Sequence, residues 1–153
     1  MMKQEVTILL AEDDDGHAAL IQKNLRRAGL QNEFVHFHDG QEILDFLLAD
    51  KETPQREHHK AYLLLLDIRM PKVEGVEVLR VVKSTPELKK MLVIMITTTD
   101  DPRVVERCHD LGCSSYVTKP IDYDQFVRAI RQLGLFLTIV QVPQINGSGN
   151  PEQ

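Results

Sequence analysis

The fold of this chain is decided by one stretch, Leu63-Leu64-Leu65-Leu66-Asp67-Ile68-Arg69-Met70-Pro71. Four consecutive leucines predict a strand that is buried on both faces, as expected at the centre of a parallel sheet. A carboxylate follows at once, and Pro71 ends regular pairing. In an open α/β sheet, ligands bind outside the carboxyl ends of the strands, so we expect Asp67 at the mouth of a site. The alternative is that Asp67 only caps a turn.

Segments that predict strands and helices alternate along the rest of the chain. Apolar runs predict the other four strands, at 6–11, 33–37, 91–96 and 115–118. Residues with helical spacing follow each strand, and they include a short helix over 41–48. Local signals mark the helix ends: Gly29 and Gly112 after the first and fourth helices, Asp101-Pro102 before the fourth, and Asp122 or Asp124 before the last. Five strands alternating with five helices predict an α/β fold with a doubly wound, five-stranded parallel sheet.

Composition and charge argue against several classes of protein. A net charge of −5 and a pI of about 5.6 disfavour nucleic acid as a constitutive partner. The first residues do not have the pattern of a signal peptide and no apolar run is long enough to cross a membrane, so we expect neither a signal peptide nor a membrane-spanning segment. Cys108 and Cys113 are too few and wrongly spaced for a zinc site, so we expect free thiols in a reducing cytoplasm. The length suits one domain over 1–143, followed by a disordered tail over 144–153.

Four predicted strands end in groups that carry chemistry: Glu12-Asp13, Asp67, Thr97 and Lys119. Connections in this architecture bring the carboxyl ends of parallel strands to one edge of the sheet, so we expect these five side chains to converge. Each also has an ordinary alternative. Asp13 could cap a helix, Thr97 could be a turn hydroxyl, and Lys119 could be a solvated charge. Their coincidence at four strand ends favours a site.

The charge balance of this cluster predicts a bound cation. Three carboxylates held together repel one another unless a cation lies between them. Lys119 supplies one positive charge, and the remaining negative charge suits Mg²⁺, which takes one or two carboxylates, keeps waters and accepts a phosphate oxygen. A carboxylate beside Mg²⁺, a lysine and a hydroxyl can attack a phosphoryl group in line while the cations neutralise its charge. The residues therefore predict an aspartyl phosphate.

The motifs that carry these groups resemble those of a known family. They are Ile8-Leu9-Leu10-Ala11-Glu12-Asp13, Leu66-Asp67-Ile68-Arg69-Met70-Pro71 with Gly75 four residues beyond the proline, Ile96-Thr97-Thr98, and Tyr116-Val117-Thr118-Lys119-Pro120. Over nearly its whole length the chain resembles the receiver domain of two-component response regulators. The resemblance implies the flavodoxin-like receiver fold with strand order 2-1-3-4-5.

The resemblance also implies a role for each site residue. Asp67 would accept a phosphoryl group from a phosphohistidine of a sensor histidine kinase. The implied Mg²⁺ ligands are Glu12, Asp13, Asp67 and the main-chain carbonyl of Arg69. Thr97 and Lys119 would contact the phosphoryl oxygens, and Tyr116 would turn inward as Thr97 moves toward the phosphoryl group. The alternative for Tyr116 is an ordinary half-buried strand residue.

The C-terminal part of the last helix is apolar on more than one face. Leu135, Phe136 and Ile139 add to the stripe that can face the sheet, and no charge occurs between Arg131 and Glu152. Because soluble monomers avoid such a patch, we expect a homodimer interface at these three residues. The stretch 135–143 also resembles the ends of single-domain regulators that partner bacterial and cyanobacterial phytochromes, which implies a phytochrome-type kinase. The alternative is an amphipathic helix with an apolar end.

Two other functions share part of this chemistry. A Mg²⁺-dependent phosphohydrolase of the aspartyl-phosphate type places a second acid two residues after the nucleophile, and Arg69 occupies that position here. This substitution argues against turnover. A receiver-like scaffold that never takes phosphate is disfavoured because no expected site group is missing. Residues beyond 122 are too few for a DNA-binding effector domain, so we expect a phosphoacceptor switch, not a conventional enzyme, that signals through protein contacts.

Overall fold

The computed structural model describes residues 6–48, 61–119 and 122–132, in which five strands alternate with five helices. The strands are β1 (Val6–Ala11), β2 (Phe34–Phe37), β3 (Ala61–Leu66), β4 (Leu92–Thr97) and β5 (Ser115–Thr118). The helices are α1 (Asp15–Arg27), α2 (Gly40–Leu47), α3 (Gly75–Ser84), α4 (Pro102–Leu111) and α5 (Tyr123–Gln132). All strand pairs are parallel, in the order β2-β1-β3-β4-β5. The predicted fold class and strand order are confirmed.

The four leucines of β3 are buried on both faces of the sheet, as their sequence predicts. Successive side chains of a strand point to opposite faces. Leu63 and Leu65 therefore pack with the apolar side chains of α1, whereas Leu64 and Leu66 pack with those of α2, α3 and α4. Complete burial of one such side chain contributes about 1.5–3 kcal/mol. Two separate apolar layers thus hold the central strand. They also fix the position of Asp67, the residue that follows it.

Local signals at the helix ends act largely as predicted. Asp101 caps α4, since its Oδ1 accepts a first-turn N–H, and Gly112 ends that helix with a left-handed φ of 107°. At α1 the cap is Asp14, whose Oδ1 accepts the N–H of His17 at 2.9 Å. The alternative in which Asp13 caps this helix is therefore wrong, and its carboxylate lies outside the helix.

Predicted and observed boundaries differ by one or two residues. α2 covers Gly40–Leu47 and not 41–48, because Asp39 caps it by accepting a first-turn N–H. β3 begins at Ala61, two residues before the leucine run. Of the two candidate caps of α5, Asp122 precedes the helix, and its Oδ1 accepts the N–H of Asp124 at 3.0 Å.

Several predictions concern residues outside the described ranges. The dimer interface at Leu135, Phe136 and Ile139 is one, and the domain limit at 143 and the tail over 144–153 are others. They stay predictions. None of the described helices has both the length and the apolar character that a membrane crossing requires. Cys108 and Cys113 are both free and buried.

Candidate functional site

The hydrogen-bond ladder of the sheet continues for one residue beyond β1, β3 and β5, and it fixes the site residues there. The N–H groups of Glu12, Asp67 and Lys119 donate to the carbonyl oxygens of Phe37, Ala11 and Thr97, at 2.9, 3.0 and 2.8 Å respectively. These three residues lie at the same edge of the sheet because all strands are parallel. The predicted convergence of strand ends therefore has a backbone cause.

A buried ammonium group lies between two buried carboxylates. Nζ of Lys119 is 2.5 Å from Oε1 of Glu12 and 3.1 Å from Oδ2 of Asp67. Glu12 is 1%, Asp67 6% and Lys119 9% exposed. One ammonium group is therefore shared by two carboxylates in a buried environment, where a charge without a partner costs several kcal/mol. The group of three carries a net negative charge when both carboxylates are ionised.

Backbone N–H groups orient both carboxylates. Ile68 N–H donates to Oδ1 of Asp67 at 2.7 Å, so Asp67 presents its other oxygen to Lys119. Asp14 N–H donates to Oε2 of Glu12 at 3.1 Å. Burial nevertheless raises the pKa of Glu12 above its ordinary value, against the lowering effects of Lys119 and of the hydrogen bond from Asp14 N–H. Nearby Asp67 adds to that rise. With one ammonium group for two carboxylates, the cluster is also short of positive charge.

The donor set of the acidic cluster fits Mg²⁺. Glu12, Asp13 and Asp67 each offer a carboxylate oxygen, and these atoms lie within 4.8 Å of one another. Asp13 is exposed and lies on the solvent side of the two buried acids. Oxygen donors of this kind, open to water on one side, suit a hard divalent ion that keeps part of its hydration shell. The proposed fourth ligand, the carbonyl of Arg69, stays a prediction. Arg69 itself is exposed and lines an open groove of about 640 Å³ together with Asp13.

Gly75 is required by a close approach between α3 and the phosphoacceptor candidate. A Cβ atom at this position would lie 2.0 Å from the carbonyl oxygen of Asp67. The N–H of Gly75 also donates to the carbonyl of Ile68 at 2.7 Å. No side chain fits in this space, so the glycine allows the beginning of α3 to hold the main chain of Asp67.

A hydrogen-bonded link joins the end of β4 to β5. The hydroxyl of Thr97, which is fully buried, accepts from Thr99 N–H at 3.4 Å, and Tyr116 OH donates to the Thr99 carbonyl at 2.6 Å. Burial raises the pKa of Tyr116 to about 12. Thr99 therefore connects the two residues to which the resemblance assigns switching roles. Thr97 lies one strand away from Asp67, and Tyr116 faces the β4–α4 loop.

His17 is a site residue that the sequence did not reveal. Its Nδ1 is 3.0 Å from Nζ of Lys119 and 3.8 Å from Oε2 of Glu12, and its side chain is 48% exposed. It lies in the first turn of α1, on the side of the buried ion pairs that faces solvent. The only available signal was its position in the first turn of the helix that follows the acidic loop. That position is not informative until the rotation of α1 about its axis is known.

Comparisons with known proteins agree with this geometry. The sequence profile of the response regulator receiver domain matches residues 8–131. A response regulator receiver domain from Rhodospirillum rubrum, known from its crystal structure, is 46% identical in sequence, with a TM-score of 0.78. The alignment covers 92% of this chain and 99% of that one. The bacteriophytochrome response regulator RtBRR is 36% identical, with a TM-score of 0.77 over 93% of this chain and 85% of that one.

A cyanobacterial protein is a third relative. The response regulator Rcp1 from Synechocystis sp. is 29% identical over 137 residues, which are 89% of this chain and 92% of Rcp1. Its Mn²⁺-bound crystal structure has a TM-score of 0.71, at 28% identity over 90% of this chain and 98% of that one. The similarity thus extends over nearly the full length of all three relatives.

Proposed function

The chain belongs to the response regulator receiver domain family, and on this premise we propose that it is a phosphoacceptor switch in which Asp67 takes a phosphoryl group from a histidine kinase. Receiver domains in general serve as such signalling switches. The observation that carries the assignment to Asp67 is its contact with Lys119: a buried carboxylate, oriented by the N–H of Ile68, lies 3.1 Å from a buried ammonium group at the edge of the sheet.

In the proposed reaction, a carboxylate oxygen of Asp67 attacks phosphorus while the bond from phosphorus to the phosphohistidine nitrogen breaks. The departing ring nitrogen keeps the electron pair of that bond and takes up a proton from solvent. Lys119 is close enough to Asp67 to contact an incoming phosphoryl oxygen, and the hydroxyl of Thr97 would contact a second one. Burial of the ammonium group favours this role, since its charge is weakly screened there.

We propose that Glu12, Asp13, Asp67 and the carbonyl of Arg69 hold the required Mg²⁺. When bound, the ion neutralises charge on the phosphoryl oxygens. Two features of the residues support this assignment: the three carboxylate oxygens lie within 4.8 Å of one another, and Lys119 balances only part of their charge. The binding of Mn²⁺ by the related Rcp1 is consistent with a divalent ion at this position.

The link through Thr99 supports a switching role for Thr97 and Tyr116. If the hydroxyl of Thr97 turns toward a phosphoryl oxygen, its hydrogen bond with Thr99 N–H is lost. The Thr99 carbonyl, which accepts from Tyr116, belongs to the same residue. Movement of this loop would therefore release Tyr116 to turn inward, and phosphorylation would be read on the surface near β5 and α4.

A direct test uses a small phosphodonor, such as acetyl phosphate, and intact-mass spectrometry of the full chain. We expect the wild type to gain the mass of one phosphoryl group with Mg²⁺ and none with a chelator. Asp67→Asn should not be labelled, whereas the matched control Asp45→Asn, an exposed acid of α2, should be labelled like the wild type. Labelling of Asp67→Asn at the wild-type level would contradict the assignment. Continuous release of phosphate from phosphomonoesters would favour the hydrolase alternative.

We further propose a phytochrome-type kinase as donor and a homodimer formed through Leu135, Phe136 and Ile139. The similarity to the bacteriophytochrome response regulator RtBRR supports the first proposal, and the apolar sequence of the segment supports the second. Phosphotransfer profiling should give faster transfer from phytochrome-type kinases than from others, and equal rates would contradict the choice. Sedimentation of the intact chain and of one ending near Leu133 should give a dimer and a monomer. An intact chain that stays monomeric at micromolar concentration would refute the interface.

A further inference from the structure

Three potential metal ligands that are not part of the acidic cluster meet at the β2 edge of the sheet. They are Asp15, the first residue of α1, His36 on the edge strand β2, and His38, which follows that strand. Each offers one ligand atom within 4.8 Å of the others. Nε2 of His38 is 3.1 Å from Oδ1 of Asp15, and the two imidazole rings lie 4.1 Å apart between centroids. The proposed phosphorylation chemistry uses none of these side chains.

The surroundings of His36 leave one ring nitrogen available. Its Nε2 is 2.7 Å from the main-chain carbonyl oxygen of Glu12. A carbonyl oxygen only accepts, so Nε2 carries the hydrogen and donates it. In the neutral ring Nδ1 then has a lone pair. Metal-binding histidines commonly have this arrangement, in which the second nitrogen donates to a carbonyl or carboxylate that fixes the ring.

His38 is held in a comparable way. Its main-chain N–H donates to Oε1 of Glu42 at 2.8 Å, and the same carboxylate oxygen lies 3.8 Å from its Nδ1. Glu42 therefore lies behind the ring while Nε2 faces Asp15. Two donors bound to Zn²⁺ at about 2.0–2.2 Å in a tetrahedron lie about 3.3 Å apart. The separation of 3.1 Å between His38 and Asp15 is close to that value.

We propose that Asp15, His36 and His38 form a second cation site, selective for Zn²⁺. Two imidazoles and one carboxylate are a recurrent Zn²⁺ ligand set that leaves the fourth position for water. Mg²⁺ prefers oxygen donors, so the acidic cluster and this site differ in the ion that they select. The two sites meet at Glu12, whose side chain contacts Lys119 and whose carbonyl holds His36. The site is open to solvent, since the side chain of His38 is 52% exposed and that of Asp15 is 83% exposed.

The test is a Zn²⁺ titration of the full chain against a competing chelator, with millimolar Mg²⁺ present to fill the acidic cluster. We expect His38→Gln and the His36→Gln/His38→Gln double variant to bind Zn²⁺ more than tenfold more weakly than the wild type, since loss of an outer partner alone costs 10–100-fold. Asp15→Asn should weaken binding as well. Co²⁺ in place of Zn²⁺ should give the strong visible absorption of a tetrahedral complex in the wild type and not in the His36→Gln/His38→Gln double variant.

Three of the four remaining histidines provide matched controls. His109→Gln and the His58→Gln/His59→Gln double variant should bind Zn²⁺ like the wild type. Loss of binding in either control, or unchanged affinity in His38→Gln and Asp15→Asn, would overturn the proposal. His38 and Asp15 are exposed, so these two variants should fold. Thermal unfolding without metal checks this, and a wild type that binds no Zn²⁺ more tightly than the double variant would equally refute the site.

Discussion

Replacement of Lys119 by methionine tests the electrostatic basis of the site. Methionine keeps much of the side-chain volume but removes the ammonium group from between Glu12 and Asp67. In the wild type both contacts are buried, at 2.5 and 3.1 Å. Removal of one partner from a buried ion pair costs about 3–5 kcal/mol, because the remaining charge is not compensated. For a chain of this size, that loss lowers the melting temperature by roughly 6–20 °C.

The loss of stability caused by Lys119→Met should increase as the pH rises. Burial and Asp67 already raise the pKa of Glu12, and the hydrogen bond from Lys119 opposes that rise. Without Lys119 the pKa of Glu12 in the folded state moves further above the unfolded value of 4.5. A raised folded-state pKa contributes stability below the unfolded pKa, and this contribution is lost as pH rises through the folded pKa. The difference between variant and wild type should therefore grow from about pH 5 to about pH 8.

Urea unfolding at both pH values, with a chelator present, measures this difference. Lys83→Met is the matched control: Nζ of this half-buried lysine donates to the carbonyl oxygens of Lys89 and Met91 at 3.0 and 2.6 Å, so its removal uncovers no carboxylate. We expect the control to lose a similar amount of free energy at both pH values. Equal stability of wild type and Lys119→Met at pH 8, or a difference that does not change with pH, would refute the reasoning.

Three further predictions follow from other contacts of the site. Gly75→Ala should lower the free energy of unfolding in urea by at least about 2 kcal/mol, because its Cβ would lie 2.0 Å from the carbonyl oxygen of Asp67. The same variant should also slow phosphorylation. An unchanged urea midpoint would contradict the close approach. Mg²⁺ at a hundred times its Kd should stabilise the wild type by about 2.7 kcal/mol, measured by thermal unfolding. Asp13→Asn should lose most of this stabilisation. If Mg²⁺ stabilised Asp13→Asn as much as the wild type, Asp13 would not be a ligand. Tyr116→Phe should lower the free energy of unfolding by about 1 kcal/mol, because it removes the hydrogen bond to the Thr99 carbonyl. The loss should be equal at pH 6 and pH 9, since the pKa of this phenol is about 12. A loss that varied between these pH values would argue against this account.

The fold and the acidic cluster could be predicted from the sequence because both depend on topology. A leucine run in which alternate residues fill opposite layers identifies the central strand, and parallel connections then bring Glu12, Asp67 and Lys119 to one edge. Side-chain contacts within the cluster follow from backbone hydrogen bonds that continue the ladder by one residue. Sequence reasoning at this level needs only the order of the strands, and not the rotation of any helix.

Contacts that depend on the placement and rotation of a helix could not be predicted in this way. His17 reaches Lys119 only because α1 turns that face of its first turn toward the sheet edge. Likewise, His36 and His38 share a face by their spacing of two, but their nearness to Asp15 depends on where the first residue of α1 lies relative to β2. Such contacts depend on a few ångströms of tertiary placement, which composition and periodicity do not determine.

The backbone of Glu12 explains why repulsion in the cluster is balanced by a cation and not by rearrangement. Its N–H donates to the carbonyl of Phe37 at 2.9 Å, and its own carbonyl accepts from Nε2 of His36 at 2.7 Å. Both main-chain groups are therefore tied to β2, while the side chain is buried against Lys119 and the N–H of Asp14. A carboxylate fixed at this many points cannot turn away from Asp67. Burial and, to a lesser degree, this fixed position near Asp67 raise the pKa of Glu12, and a bound divalent ion would offset the excess negative charge while the backbone of Glu12 stays in place.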